Sequence, residues 1–427
     1  MAMSQMDSAP GRPRDRRAQL IREAVRLFWE RGYDGVSVAD VAAAAGITAA
    51  AVYRHLPNKE SMLVEPIREM VTAWYGAALV AQDGAANPVD ALDRLVTAVV
   101  EVAMDRPDVV GLWHRESRNL QREARDELVA LRATTVAHWS TTLLACDPGL
   151  TVAQAEFRIR AALGLLNSVA VRRAPVARIQ LSAHLQQMMK AVLLSATVPD
   201  PRERAVPAFD VRHHAEPVEL ARRELILHSA ARLIRVNGYH RVGIDEIGAA
   251  AGISGPSVYG HFSSKVDVLI ALLDRVADLL DAAVRTASQV TGPAEYRLAE
   301  ISWAHVYTAL NARDFVSVYA TELHNVPAAH ARTLQQRRNN RIRICAECLT
   351  EVRPQITMRL ARVTSQAATE MIFGIARSRR FDDIPALATA THALTMSALV
   401  CENVESESVS SCRPLGGRPP LTALARK

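Results

Sequence analysis

Lysine is scarce in this sequence. Of the 51 basic residues only four are lysines, namely Lys59, Lys190, Lys265 and Lys427. Two of them end the related strings VYRHLPNK, at 52–59, and VYGHFSSK, at 258–265. A scarce residue that returns at the same place in two similar strings points to a shared physical role.

Cysteine and long apolar runs are also scarce. Five cysteines, an odd number, argue against a secreted disulfide framework. Cys345 and Cys348 have CxxC spacing, but neither a second pair nor paired histidines accompany them, so we predict no metal site. No apolar stretch approaches the roughly 20 residues that cross a bilayer, and no apolar run follows the N-terminal arginines. We therefore expect a soluble cytoplasmic protein without a membrane partner.

Signatures of catalysis are missing too. Gly255 and Gly260 have the glycine spacing of a phosphate-binding loop, but His261 stands where that loop needs lysine. No HExxH metalloprotease motif occurs. The sequence thus predicts neither an enzyme nor a bound cofactor.

What is present suits a folded protein with a polyanionic partner. The 427 residues are enough for two to three domains, and 49% of them are hydrophobic. The formal net charge is +6. This charge fits nucleic acid as a partner but does not demonstrate it, because many proteins are mildly basic.

One unit is written twice. When the chain is shifted by 206 positions, Arg16–Lys59 aligns with Arg222–Lys265 without a gap, and 17 of the 44 positions are identical. Further along, the same shift pairs Asp108, Glu116 and Asn119 with Asp314, Glu322 and Asn325. The chain is therefore a tandem duplication.

The chain is predicted to have seven segments. Proline and charge interrupt the helical pattern between the copies, and the last stretch is rich in Ser, Pro and Gly, which predicts a linker and a disordered tail. Each copy has a short head and a longer helical body. The predicted segments are a basic arm at 1–15, a head at 16–62, a body at 63–196, a linker at 197–217, a second head at 218–268, a second body at 269–401 and the tail at 402–427.

The apolar pattern is helical throughout. Leu20, Ala24, Leu27 and Phe28 fall at i, i+4, i+7 and i+8, and the second copy repeats the spacing. Gly32 follows as a predicted helix end, because glycine adopts the left-handed C-terminal conformation cheaply. No alternating strand pattern rises above noise, so the fold class is predicted to be all-α.

A small residue, a glycine and a valine follow the first helix of each copy at a fixed spacing. They are Ala42, Gly46 and Val52 in the first copy, and Gly248, Gly252 and Val258 in the second. The small residue lets two helices cross closely, the glycine makes the turn and the valine fills the space beneath. This is the logic of a helix-turn-helix, whose second helix would be about eight residues long.

Polar side chains mark the helix starts. Ser37 and Asp40 have the spacing of a capping box, whereas Gly243 in the second copy predicts a weaker cap. Asn58 and Ser264 precede the two recurring lysines as caps. An ammonium beside free backbone amides is predicted to grip a DNA phosphate, which would explain the position of these lysines.

Both copies resemble the TetR family of bacterial one-component repressors. The strings GITAAAVYRHLPNKESML and GISGPSVYGHFSSKVDVL match its DNA-binding signature over most of its length, with Leu56 where the family usually has phenylalanine. The resemblance implies two TetR-like units, each with a three-helix DNA-binding head and a helical ligand-binding and dimerisation body. Carried over position by position, the DNA-contacting residues are Thr48, Ala49, Tyr53, Arg54, His55, Lys59, Ser254, Gly255, Ser257, Tyr259, His261 and Lys265.

The resemblance also implies how the units pair. TetR bodies pair through their last two helices, and those helices would here span about 151–172, 178–195, 357–378 and 384–401. One chain would then supply both halves of a dimer and hold two recognition helices ~34–36 Å apart, one DNA turn. Whether chains pair further stays open.

Two groups of side chains each have two alternative roles. Arg12, Arg14, Arg16 and Arg17 form a basic arm that either enters a minor groove or is a solvated tail. Trp113 and Glu116 on one body, and Tyr319 and Glu322 on the other, are candidate pocket residues. Each glutamate either orients a ligand or pairs with an arginine. The family resemblance implies an apolar effector.

The sequence therefore predicts a DNA-binding, ligand-responsive transcriptional regulator, and a repressor in particular. The alternative is a TetR-fold protein that binds a small molecule or a partner while one or both heads have lost DNA binding. A salt-sensitive, sequence-selective DNA complex would favour the first.

Overall fold

The fold is all-helical, as predicted. A computed structural model describes residues 13–171, 176–196, 218–378 and 384–401, and these ranges contain helices and turns but no strands. The predicted linker and tail, and Arg12 of the arm, lie outside the described residues. None of the described helices combines the length and apolar character needed to cross a bilayer.

Unit 1 has ten α-helices in the described ranges and a 3-10 turn at Ser117–Asn119. The helices are α1 (Pro13–Arg31), α2 (Val38–Ala44), α3 (Ala49–Val52), α4 (Ser61–Gln82), α5 (Pro88–Asp105), α6 (Pro107–Glu116), α7 (Arg122–Cys146), α8 (Val152–Leu165), α9 (Asn167–Val171) and α10 (Arg178–Leu193). We call α1–α3 head 1.

Unit 2 repeats this order, with a 3-10 turn at Leu323–Asn325. Its described helices are α11 (Val218–Asn237), α12 (Ile244–Ala250), α13 (Gly255–Val258), α14 (Lys265–Ser288), α15 (Ala294–Asn311), α16 (Arg313–Thr321), α17 (Ala328–Val352), α18 (Met358–Arg377) and α19 (Ile384–Leu399). We call α11–α13 head 2.

The first helix of each head ends where the sequence predicted. Gly32 and Gly238 have φ of +75° and +85°, a left-handed backbone conformation that residues with a Cβ rarely adopt. Upstream, Leu20 and Phe28 are fully buried, so α1 turns its apolar stripe toward α4. Local glycine chemistry and amphipathic packing thus set the same boundary.

The two units pack through four helices: α8 and α10 of unit 1, and α18 and α19 of unit 2. The backbones of α8 and α18 approach closely at Gly164, where an added Cβ would lie 3.0 Å from Cα of Met371. His184 Nε2 is 2.7 Å from Thr364 Oγ1 in the same interface. Burial lowers the pKa of His184 to about 4, so a neutral imidazole joins the two units. The two units thus pair within one chain through the helices that the sequence predicted.

Both heads, both bodies and the interface share one connected apolar core. Phe28 of head 1, Phe157 of α8, Met371 of α18 and Val258 of head 2 belong to the same cluster of buried side chains. Because apolar burial supplies most of the folding free energy, the units stabilise one another.

A matched pair of glycine substitutions tests the close approach of α8 and α18. Gly76→Ala in α4 should stabilise the protein by up to about 1 kcal/mol, because no atom lies within 4 Å of the new Cβ and alanine favours helix. Gly164→Ala should lose this gain and lower the unfolding midpoint, because its Cβ would press on the α18 backbone. Urea unfolding followed by circular dichroism measures both midpoints, and equal gains would contradict the described packing.

Candidate DNA-binding surface

Each head contains the predicted helix-turn-helix. Gly46 and Gly252 make the turns, with φ of +69° and +72°. The amide of Ile47 donates to the carbonyl of Ala42 at 3.0 Å, and the equivalent bond in head 2 is 2.9 Å long. The small residue at the crossing is required in head 2, where an added Cβ on Gly248 would lie 3.0 Å from the amide nitrogen at position 255.

The second helix of each motif is shorter than predicted. It has four residues, Ala49–Val52 in head 1 and Gly255–Val258 in head 2, instead of about eight. Val52 and Val258 are fully buried beneath these helices. Tyr53 and Tyr259 follow immediately, and their side chains are 55% and 57% exposed. Two large aromatic side chains therefore project into solvent at equivalent positions.

Most of the predicted DNA-contacting residues reach the surface of the heads. The exposed ones are Thr48, Tyr53, Arg54, Ser254, Ser257 and Tyr259, and the partly buried ones are Ala49, His55, Lys59, His261 and Lys265. Gly255 differs because it is buried against α12, where a Cβ would collide with the Asp245 carboxylate. Gly255 therefore permits close packing of the two helices and offers DNA no surface.

The helix caps follow the sequence prediction in head 1 and part of it in head 2. The Ser37 hydroxyl accepts from the Asp40 amide at 3.1 Å, and the Asp40 carboxylate accepts from the Ser37 amide at 2.7 Å, which confirms the capping box. The Asp40 carboxylate also accepts from the Ser37 hydroxyl, and this bond, with the one from the Ser37 amide, lowers the pKa of Asp40. Gly243 has no side chain to cap with, but Glu246 accepts from its amide at 2.7 Å. Head 2 thus retains half of the box.

The recurring lysines contact the heads themselves. Lys265 Nζ donates to the carbonyls of Tyr239 and Val242, at 3.0 and 3.1 Å, and lies 4.4 Å from the centroid of the Tyr239 ring. Lys59 Nζ lies 4.0 Å from the centroid of the equivalent ring, Tyr33. Burial lowers the pKa of both lysines. Their shared position has a structural explanation, because each ammonium supports the turn between the first two helices of its head.

The predicted arm is in part a helix. Because α1 begins at Pro13, Arg14, Arg16 and Arg17 are helical. Arg16 donates to Gln19 at 2.9 Å, and Arg17 is paired with Glu65 of α4. Arg16 and Arg17 therefore stabilise head 1 and do not extend from it.

The candidate pocket glutamates lie in ion-pair networks. Glu116 and Glu322 are both 1% exposed. The Arg115 guanidinium is 3.1 Å from Glu116, and Arg118 pairs with Glu322 across the two units. Burial raises the pKa of Glu116, and the neighbouring arginines oppose the shift. The structure therefore favours the arginine-pairing alternative for both glutamates over a direct role in a ligand pocket.

The aromatic pocket candidates differ between the units. Trp113 packs under Arg132, whose guanidinium carbon is 4.8 Å from the ring centroid. These two residues line a cavity of only about 10 Å³. Tyr319, the equivalent of Trp113, lines a cavity of about 450 Å³ between the units. The aromatic residue at this repeated position therefore packs against an arginine in unit 1 and lines an open cavity in unit 2.

The body of each unit touches the head of the other, which sequence reasoning missed. Arg118 of unit 1 donates to Thr321 at 3.0 Å and lies beside Gly238 at the end of α11. The equivalent residue of unit 2, His324, lies against Gly32 at the end of α1, where any Cβ would collide with its ring. Burial and nearby arginines lower the pKa of His324 to about 3, so the ring is neutral. An arginine in one copy and a histidine in the other gave no sequence signal of equivalent contacts.

Models of known protein families match both heads. The model of bacterial regulatory proteins of the tetR family matches residues 20–65 and again 226–272. A tetracyclin repressor-like C-terminal domain matches residues 85–171. The chain belongs to the TetR family. It carries two TetR units in tandem, as the duplication predicted.

Individual TetR proteins match the chain over limited lengths. The transcriptional repressor KstR2 of Mycolicibacterium smegmatis is 29% identical over 123 residues, which cover 29% of this chain and 60% of KstR2. The transcriptional activator FasR of the same organism is 42% identical over 77 residues, 18% of this chain and 35% of FasR. A solved TetR-family regulator from Bordetella parapertussis is 25% identical, covers 40% of this chain and 93% of its own, and has a TM-score of 0.38. The chain thus spans at most about three fifths of these two curated TetR relatives.

Lys265→Met tests the role of the recurring lysine in the TetR heads. The substitution removes two hydrogen bonds to backbone carbonyls, so the thermal midpoint should fall by the equivalent of about 1–3 kcal/mol. Lys59→Met should cost less, about 1 kcal/mol, because among the described residues its ammonium contacts only a ring. Differential scanning calorimetry measures both.

The salt dependence of DNA binding distinguishes a lysine that stabilises the head from a lysine that contacts a DNA phosphate. A lysine that neutralises a phosphate changes the slope of log K against log salt by about one. We expect Lys265→Met to leave the slope unchanged at temperatures where the head is folded. A slope reduced by about one would restore the phosphate contact predicted from sequence.

Arg118→Ala tests the contact between the TetR units. The substitution leaves the Glu322 carboxylate buried without its cation, which should destabilise the protein by about 3–5 kcal/mol. The double variant Arg118→Ala, Glu322→Gln should recover part of this loss, because a neutral amide is cheaper to bury. Arg68→Ala removes an exposed ion pair with Glu127 and should cost at most about 1 kcal/mol. Thermal unfolding compares the three, and equal effects of Arg118→Ala and Arg68→Ala would contradict the role of the buried pair.

Proposed function

We propose that the protein is a DNA-binding transcriptional regulator whose two heads act as an intrachain pair on one operator. The observation that carries this proposal is the pair of exposed tyrosines, Tyr53 and Tyr259, at equivalent positions of two helix-turn-helix motifs. Burying such rings would add apolar contact to either core. Their exposure is explained by a partner that accepts a hydrogen bond from each hydroxyl, as a DNA phosphate does.

The chemistry of the heads favours backbone contact over base reading. The short helices carry alanine in head 1 and glycine, proline and serine in head 2, which have few groups for the edges of bases. Arg54 of head 1 is exposed, and head 2 has Gly260 in its place. We expect binding that weakens steeply with salt, on an operator whose two half-sites differ.

The regulator works as a single chain in this proposal. Each TetR unit covers the packing helices of the other, so the interface that would hold two chains together is already occupied. A second chain is therefore not needed to place two heads on DNA. Pairing of chains on longer operators would be an additional feature.

We further propose repression that a cytoplasmic effector relieves. The match to KstR2 covers 60% of that protein, which is named a repressor. The match to FasR, which is named an activator, is shorter. The contacts of Arg118 and His324 join each body to the opposite head. A ligand with different affinity for two body arrangements would shift the spacing of the heads, and DNA would be released.

Substitution of the two tyrosines tests the function. Tyr53→Ala and Tyr259→Ala should each lower affinity for DNA from beside the protein's own gene by several-fold, and the double variant by at least about tenfold, because each loses a phosphate contact. Fluorescence anisotropy at several salt concentrations measures affinity and slope together.

Tyr296→Ala is the matched control. Tyr296 is another exposed tyrosine, but it lies on α15 of the second body, away from both heads. Its replacement should leave DNA affinity unchanged. If the wild-type chain forms no salt-sensitive, sequence-selective complex, the heads are inactive and the protein is a ligand- or partner-binding TetR-fold protein.

A further inference from the structure

The cavity between the units is a feature that the DNA-binding heads do not explain. Its volume is about 450 Å³, within the range of small-molecule sites. Residues of α6 and α9 in unit 1 form one side, and residues of α16, α17 and α18 in unit 2 form the other. Trp29 and Glu30, in the last turn of α1, also line it. The cavity therefore adjoins both bodies and head 1.

The two copies differ in the residues that form the wall of this cavity. Arg338 and Glu370 form an ion pair in its wall. Shifted by 206 positions, the equivalents are Arg132 and Gly164. Without a carboxylate at position 164, Arg132 lies over Trp113 instead, where only about 10 Å³ remains.

One cation in the wall is available to a ligand. Arg377, near the end of α18, is attracted electrostatically by Glu370, but it forms no direct ion pair or hydrogen bond with the residues that the structure describes, and its Nε is buried. By contrast, Arg338 is paired with Glu370, and Arg115 donates to the Trp29 carbonyl at 2.6 Å. An unpaired guanidinium at the edge of a partly closed cavity is a strong site for an anion.

A buried amide in the same wall also lacks a partner. Asn167 is 4% exposed, and neither its Nδ2 nor its Oδ1 forms a hydrogen bond within the described residues. Its Nδ2 is 4.0 Å from where a Cβ on Gly374 would lie, one helical turn before Arg377. Because a buried unsatisfied amide is costly, a ligand oxygen here would gain affinity.

The rest of the wall is apolar or aromatic. Tyr319, Phe373 and Ile342 line the cavity beside the polar groups. Both Tyr319 and Phe373 are buried, and their ring centroids are 6.5 Å apart in an edge-on arrangement. Such a surface accommodates a hydrocarbon or ring body. Its chemistry is thus that of a compact amphipathic molecule with one anionic end.

We propose that this cavity is the effector site of the chain and binds one organic carboxylate with an apolar body, its carboxylate on Arg377 and Asn167. This proposal adds a ligand class to the proposed function. Only the effect of the ligand on DNA binding rests on that function; binding of the carboxylate does not. Within the part of the chain that the structure describes we expect one such site, because Trp113 and Arg132 leave only about 10 Å³ at the equivalent position of unit 1. Its occupant contacts the end of α1, so head 1 responds more than head 2.

Isothermal titration calorimetry of the full chain without DNA tests the site. The probes are decanoate and 2-naphthoate, and decanamide and 2-naphthamide are their uncharged controls. At least one carboxylate should bind with one molecule per chain, and its amide at least about tenfold more weakly, because the charge-assisted bond is lost. Absence of saturable carboxylate binding up to millimolar concentration, or equal binding of acid and amide, overturns the proposal.

Substitutions locate the bound carboxylate. Arg377→Gln should weaken binding by about tenfold or more, while Arg343→Gln, on the exposed face of α17, should change it less than twofold. Ala320→Trp fills the cavity and should abolish binding, with a melting curve to show that the chain is folded. Binding that Arg377→Gln and Ala320→Trp leave intact would place the ligand elsewhere and overturn the assignment.

The response of the heads is measured separately. Tyr259→Ala weakens the DNA contact of head 2, so that binding depends more on head 1, and Tyr53→Ala does the reverse. The bound carboxylate should lower the DNA affinity of the first variant more than that of the second. Equal effects would overturn the preference for head 1, and a chain that does not bind DNA would refute the proposed function while the calorimetry still decides the site.

Discussion

The structure depends on the packing of α8 against α18. At this contact the two helices lie so close that a Cβ added to Gly164 would be 3.0 Å from Cα of Met371. The contact joins the two TetR units into one apolar core, and it sets where each body lies relative to the opposite head. The neutral His184–Thr364 bond and the Arg118–Glu322 ion pair form around it. Each is buried, so each is sensitive to any separation of the units.

A covalent pair of units is free to diverge in a way that a homodimer is not. In a homodimer each substitution appears on both sides of the twofold axis. Here Gly164 corresponds to Glu370 and Asn167 to Phe373, so the Glu370 carboxylate, the Asn167 amide and the Phe373 ring, each present in one copy only, line the same cavity between the units. Arg118 and His324 likewise support opposite heads with different chemistry. The duplication retains the family's paired architecture and makes its two halves unequal.

The heads illustrate how one residue can have two physical explanations. The repeated lysine fits a phosphate contact when only the string is considered. In the folded head the ammonium of Lys265 already satisfies two carbonyls and packs on a ring. The exposed tyrosines show the opposite relation, because little within the chain accounts for their exposure. The proposed DNA interface therefore consists of side chains that the fold leaves exposed to solvent.

Sequence alone determined the features that depend on local chemistry and on repetition. The all-helical fold, the turn glycines and the Ser37–Asp40 capping box follow from residues a few positions apart, and the duplication follows from comparing the chain with itself. Tertiary structure decided what depends on residues far apart along the chain. The carbonyl partners of Lys265, the pairing of Glu322 with Arg118 and the cavity beside Arg377 each join separate helices. Burial and distance set these roles, and no local pattern encodes either, because both arise only when separate helices pack together.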